Sequence, residues 1–450
     1  MSAISKILEG HQSIPSKKKN GEAAVTLVDG PFEGLQISHS TATAQAGYIT
    51  QEIVGAHLIT HPHLDHISGF VVNTSAFGAK YPKTLAGLPY TIEAFKTHIF
   101  NNVIWPNLSD ENGGVGLVTY MRLVEGGSSA LGEGDAIGYI EVVRGLGIKS
   151  FSVSHGNCME NHRHRGSSLS ISQQDPLPSP RGRALSTHSQ LKSPARADST
   201  VSLTPSELYR EHDRVQQLRK DPDLVCVVDS SAYFIRDAAT GREVLIFGDV
   251  EPDALSLSPR NHIVWAEAAP KIVDGKLKAI FIECSFDDSQ KDNMLYGHLA
   301  PRWMIVEMKN LADAVRRVRD GPDGKKRKRN SGTTVPYRRN SKWPGGPVGD
   351  LSPSISPRTA RHRHDFGNGS HNGSHNGKNE TVEFEEDGDM YPPSPHPLKG
   401  LKVVIIHMKE KLNDGPLVGE IILKELTKHE EEAKTGCEFV ISKVGEAMYF

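Results

Sequence analysis

Short apolar, β-branched runs recur along this chain, and each leads into a residue that can bind a metal. Residues 55–60 run into His61, 148–154 into His155, 243–248 into Asp249, 277–282 into Glu283 and 401–406 into His407. Runs of this length and composition predict buried strands. A hairpin is predicted from residues 224–236 and 243–247, with its turn at 238–241. Helices are predicted over 67–77 and over 416–429, the second amphipathic with a Lys-rich end. Strands and helices are interspersed, so the class is α/β or α+β with helices on the sheet faces. Side chains at strand ends can converge on one sheet edge, where a rigid scaffold positions them.

Two stretches break the pattern. Residues 163–204 are rich in Ser, Arg and Pro. Residues 316–397 hold Lys325-Lys-Arg-Lys-Arg329, a repeated Gly-Ser-His-Asn unit and the acidic Glu383-Phe-Glu-Glu-Asp387. Neither buries enough apolar surface to offset its ordering entropy, so both are expected as disordered insertions in one domain spanning 1–450. Long surface insertions add little closure entropy. The formal net charge of −2 nominates neither nucleic acid nor membrane as a partner. No run is long enough to span a bilayer, and the first residues lack a signal-peptide core, so a cytoplasmic chain is expected. Lys325–Arg329 reads as a solvated charge run, with nuclear import as the other reading. The four cysteines are widely spaced, which argues against a disulfide framework and for buried small side chains.

The densest chemistry lies in His61-Pro-His63-Leu-Asp65-His66. Neutral imidazoles and a carboxylate are ligands for Zn²⁺ or a similar divalent ion. Four such groups on one tight turn exceed what one ordinary position takes, so two metals side by side are expected. The strand ends complete a set of His61, His63, Asp65, His66, His155, Asp249 and His407, with Asp249 suited to bridge. His298 and His429 compete with His407 for its place. Histidines in or beside the insertions, such as His162, His164, His371 and His375, are expected to be solvated. Water activated between two divalent ions is a strong nucleophile at neutral pH, and two metals clamp the attacking and leaving oxygens of a phosphoryl displacement. Phosphodiester hydrolysis is the natural chemistry, with ester or thioester hydrolysis behind it. Glu283 and His298 can pair to meet a departing alkoxide; the plainer reading is a loop His and a solvated Glu.

At this point the residues resemble a known family. The ligand set looks like the metallo-β-lactamase superfamily, a four-layer αββα sandwich with a dinuclear metal centre. HPHLDHISGFVVNTSAF, HIFNNVIWPNLSD, VSHG, SSAYFIRD, FGDVEPD, IECSF and LYGHL resemble the class II 3′,5′-cyclic-nucleotide phosphodiesterases, the low-affinity fungal type. The resemblance implies hydrolysis of cyclic AMP, with cyclic GMP as a second candidate, to the 5′-monophosphate, lowering cyclic AMP signalling. It implies two Zn²⁺ ions as the usual metals, other divalent ions remaining open, and Asp65, Glu283 and His298 as catalytic groups. Family members carry strands ahead of the segment that resembles residues 2–8, so the sandwich is expected without its first strands.

The insertions set basic residues before serines. Arg338-Arg-Asn-Ser341 has the form favoured by cyclic-AMP-dependent protein kinase, Lys328-Arg-Asn-Ser331 is a weaker version, and the stretch ending at Ser168 resembles a site for related basophilic kinases. Two rival functions stand beside the hydrolase: an RNA-processing nuclease of the same superfamily, and a non-catalytic truncated scaffold. The first would favour a basic RNA-binding surface, and the second need hold no metal.

Overall fold

The computed structural model describes residues 2–158, 226–321 and 396–450. Helix α1 (Ser2–Glu9) precedes strands β1 (Ser13–Lys17), β2 (Ala23–Leu27) and β3 (Gln36–Ile37), which form a small antiparallel sheet. Helix α2 (Ala42–Tyr48) follows, its N-terminus capped by the Thr41 hydroxyl, which accepts from the Ala44 amide. Strands β4 (Ala56–Leu58), β5 (Lys83–Gly87) and β6 (Val118–Arg122) pair in parallel, with helices α3 (Leu64–Asn73) and α4 (Pro89–Ala94) in their crossovers. The remaining strands are β7 (Ile140–Val143), β8 (Leu146–Cys158), β9 (Cys226–Asp237), β10 (Glu243–Phe247), β11 (Leu277–Glu283), β12 (Lys402–Ile406) and β13 (Glu438–Ile441). They form one sheet of order β13-β12-β11-β10-β9-β8-β7, antiparallel from β7 to β10 and parallel from β10 to β13. Helices α5 (Asn261–Val273), α6 (Pro301–Asp320) and α7 (Val418–Ala433) accompany the parallel part.

Three apolar clusters define the layers. Ile67, Phe70, Ile92 and Phe95 of the α3 and α4 region pack on one face of the three-stranded sheet with Leu85 and Val118. Ala86, Leu88, Leu123, Ile148 and Tyr233 fill the space between the two sheets. Trp265, Met304, Met308, Leu311, Ile422 and Leu426 cover the far face of the seven-stranded sheet. The order is helix, sheet, sheet, helix, the αββα layering that the resemblance implies. β11 and β12 read as nearly unbroken apolar runs because parallel strands buried on both faces leave no polar side. Among the described residues, the sheet that carries the His turn has three strands against seven in its partner, and β1, β2 and β3 ahead of it pair among themselves.

Several expectations shift. The helix expected over 67–77 begins at Leu64 and ends at Asn73, so Asp65 and His66 lie in its first turn. The strand expected to stop at Ser154 runs through His155 to Cys158, with a register shift between Ser154 and Asn157. The helix expected over 416–429 spans Val418–Ala433. The second insertion does not begin at Arg316: α6 continues to Asp320, because buried Val315 and half-buried Val318 pack on the core while the charged positions face outward. At its far end, the Pro397 carbonyl accepts from Arg319 and buried Leu398 joins the core. The rest of 316–397, all of 163–204, and the kinase sites at Ser168, Ser331 and Ser341 lie outside the described residues, as do His162, His164, His371 and His375. Among the described residues no helix is long and apolar enough to cross a membrane.

Candidate metal centre

The His turn is braced by hydroxyls from the second sheet and from α4. The Tyr233 hydroxyl donates to the Ile59 carbonyl at 2.6 Å, and those of Ser231 and Tyr90 to the Thr60 carbonyl at 2.8 and 3.1 Å. His63 is extended and α3 starts at Leu64. Asp65 therefore sits at a helix N-terminus, which favours a carboxylate. Gly248, at the end of β10, passes directly beneath: a Cβ there would lie 2.5 Å from both Thr60 Cβ and Ser230 Oγ.

His61 is 0% exposed. Its Nδ1 lies 3.2 Å from Thr60 Oγ1 and 3.4 Å from Ser230 Oγ. Its Nε2 is buried without a hydrogen-bond partner among the described residues. Burial, reinforced by the neighbouring His66, pushes this imidazole down to about 2, so it stays neutral with a free lone pair. A buried polar nitrogen left unpaired calls for an explanation, and a metal ligand supplies one. His155 is likewise pushed down to about 4 by burial, against the pull of its bond to the Gly297 carbonyl at 2.8 Å. Burial also lowers His63.

Asp249 lies at the middle of the cluster. His66 Nε2 is 3.1 Å from its Oδ2, His155 Nε2 3.6 Å, His61 Nε2 3.7 Å and His298 Nδ1 3.8 Å. His407 Nδ1 is 3.4 Å from its Oδ1. Burial alone would raise this carboxyl, but the His66 hydrogen bond and the nearby His407 hold it well below the usual carboxylate range. Asp65 closes the outer side, 3.4 Å from His407 Nε2 and 3.8 Å from His66 Nε2. Its carboxyl is also lowered, since the His66 charge and its hydrogen bonds outweigh burial. Four overlapping donor groups emerge among the described residues: His61, His63 and His155; Asp65, His66, Asp249 and His407; His155, Asp249 and His298; and Glu283, His298 and His407. The donor set fits divalent ions, with hard carboxylate oxygens and borderline imidazole nitrogens close enough to share them.

Glu283, 0% exposed at the end of β11, faces the same space. It accepts from His298 Nδ1 at 2.8 Å, from the Val250 and Ser285 amides at 3.1 Å each, and from the Ser285 hydroxyl at 2.6 Å. A carboxylate that only accepts puts the Nδ1 proton on His298. The loop after Asp249 is fixed by Asp253, which accepts from the Arg260, Asn261 and His262 amides and whose own amide donates to buried Glu307. Gly156 and Gly297, both at positive φ, face each other across the bulge. A Cβ on Gly297 would stand 2.6 Å from the Gly156 nitrogen.

All seven expected ligands, with Glu283 and His298, thus converge on one region. His298 lies inside the cluster as well as on Glu283. His429 is elsewhere, paired with Asp288 at 2.6 Å. The sequence reading missed Ser285, whose hydroxyl also lies 3.0 Å from His407 Nδ1, and missed Ser230, the Gly297 carbonyl and Lys409, whose Nζ is 3.0 Å from His298 Nε2. Ser285 stands two residues after Glu283 and Lys409 two after His407; that adjacency was the available signal.

A family model described as class-II cAMP phosphodiesterases matches residues 29–321. His407 and Lys409 lie beyond that stretch. A 3′,5′-cyclic-nucleotide phosphodiesterase of Schizosaccharomyces pombe is 28% identical over 265 residues, covering 59% of this chain and 53% of the relative. One of Candida albicans is 29% identical over 262 residues, covering 57% and 55%. The chain spans about half the length of these curated relatives. The crystal structure of unliganded yeast PDE1 superposes with a TM-score of 0.51 at 19% identity, covering 98% of this chain and 86% of that one, a likeness of fold.

Proposed function

The chain belongs to the class-II cAMP phosphodiesterases, and on that premise we propose that it hydrolyses 3′,5′-cyclic AMP, with cyclic GMP as a second substrate, to the 5′-monophosphate at the Asp249 centre. The observation that carries this reading is one buried carboxylate with five imidazoles within 3.8 Å, drawn from four separate stretches of chain. In this assignment His61, His63 and His155 would hold one ion and Asp65, His66 and His407 the other, with Asp249 available to both. Zinc suits the donors. Bound ions supply Lewis-acid polarisation of water and of phosphoryl oxygens at neutral pH.

The chain's own groups do the rest. His61 and His155 stay neutral well below pH 7 and keep their nitrogens free to ligate. Asp65, exposed at the outer edge between His66 and His407, orients water and accepts its hydrogen bond. Glu283 holds His298 by Nδ1 and so fixes the ring, with its Nε2 on the side where the 3′-oxygen departs. The test is cyclic AMP hydrolysis and metal content on one purified sample, beside Asp249→Ala. The expected result is turnover to 5′-AMP with about two ions per chain, and a loss of more than about a hundredfold in the variant. Metal without turnover of cyclic AMP would sink the substrate assignment, and cleavage of RNA instead would favour the nuclease. No metal and no turnover would leave the scaffold.

A further inference from the structure

Lys409 stands at the mouth of the site with its charge uncommitted. Its backbone is fixed, since the Lys409 amide donates to the Ser285 carbonyl at 3.0 Å. Its ammonium lies 3.0 Å from His298 Nε2 and 5.9 Å from the centre of the Phe286 ring. Among the described residues it has no carboxylate partner, whereas Lys411, two positions on, is paired with Asp287. The other side of His298 is taken: Nδ1 donates to Glu283, which is itself held by Val250 and Ser285. In this arrangement the hydrogen-bond donor on the open side of the His298 ring is the Lys409 ammonium. A solvated surface lysine has no reason to be anchored by its backbone beside a buried imidazole–carboxylate pair. A cation that meets developing negative charge does.

We propose that Lys409 is a further catalytic residue, whose ammonium reaches the 3′-oxygen as it leaves; this rests on the phosphodiesterase reading. The water oxygen forms the new P–O bond. The electron pair of the P–O3′ bond goes to O3′, and one of the water's protons ends there. The phosphate keeps the other or releases it to solvent. Lys409 retains its protons and neutralises the charge on O3′ while the bond breaks, and His298, held by Glu283, positions the ammonium.

The test compares cyclic AMP with its analogue carrying sulfur in place of the 3′ bridging oxygen. A thiolate leaves without help, so an interaction with the leaving atom ceases to matter. For Lys409→Gln the expected loss in kcat/KM is about a hundredfold on cyclic AMP but under about fivefold on the sulfur analogue. Lys409→Arg should recover part of the loss on cyclic AMP. Metal content and the thermal unfolding midpoint, matched to wild type, exclude a misfolded variant. An equal loss on both substrates, or none on cyclic AMP, would overturn the proposal while wild-type activity keeps the phosphodiesterase reading. A wild-type chain that hydrolyses neither would overturn both.

Discussion

Two histidines four residues apart, His57 half-buried and His61 buried, show how one side chain takes different roles. His57 and His61 each bury Nε2 without a partner among the described residues. His61 faces imidazoles and carboxylates, so ligation explains it. His57 instead packs against Phe70 and Phe77, with ring centres 4.8 and 6.0 Å away, and near Lys83. Burial first, then Lys83, pushes it down to about 4. An unfolded chain protonates this histidine near its ordinary value of 6.5, while the folded one resists until about 4. Between those values the unfolded state binds more protons, so the stability is fully present above about 6.5 and falls as pH drops. The loss should reach about 2 kcal/mol by pH 5 and level off below pH 4. In metal-free protein, His57→Phe should lose that much less stability than wild type between pH 7 and pH 5 in urea unfolding. Equal losses would show that His57 is not held neutral by the fold.

At the scale of elements, the site depends on how strand ends and loops approach one another. Gly297 sits at φ +80° against the β8 bulge, and its carbonyl holds His155. Gly297→Ala adds left-handed strain and a 2.6 Å contact with the Gly156 backbone, which cannot retreat without moving His155. Gly145, at φ +86° with open space around it, is the control. Gly145→Ala should cost about 1 kcal/mol, Gly297→Ala at least twice that together with bound metal, read by unfolding and metal analysis. Equal costs would mean the bulge yields. The same geometry marks how far the sequence could be read. The runs ending at His61, Asp249, Glu283 and His407 were legible because a buried parallel strand must be apolar throughout and stop where polar chemistry begins. The bulge at His155 was not, because a register shift is a property of two strands whose pairing the intervening residues do not record. Ser285 and Lys409 were not, because their partners include residues up to 122 positions away. The last turn of α6 was not, because five residues with four charges hide the single apolar Val318 that packs.

Across the whole molecule, the proposed ligands divide between the two sheets. His61, His63, Asp65 and His66 follow β4 in one sheet, while His155, Asp249 and His407 lie on or just beyond β8, β10 and β12 in the other. Ions held there would fasten one sheet to the other at an edge where the Tyr233, Ser231 and Tyr90 hydroxyls already bind the His turn. Bound metal should then act as a stabiliser of the native state by mass action. With free zinc at 100 to 1,000 times its dissociation constant, the gain is about 3–4 kcal/mol for each site. Chelation should therefore lower the urea midpoint of the wild-type chain with little change in slope, because the same surface is exposed on unfolding. Asp249→Ala, missing the shared ligand, should show little further loss on chelation, and restoring zinc should recover only the wild type. A wild-type midpoint that stays put when elemental analysis shows the metal gone would mean that the hydroxyl brace and the apolar layer between the sheets hold the edge unaided. The ions would then belong to the chemistry alone.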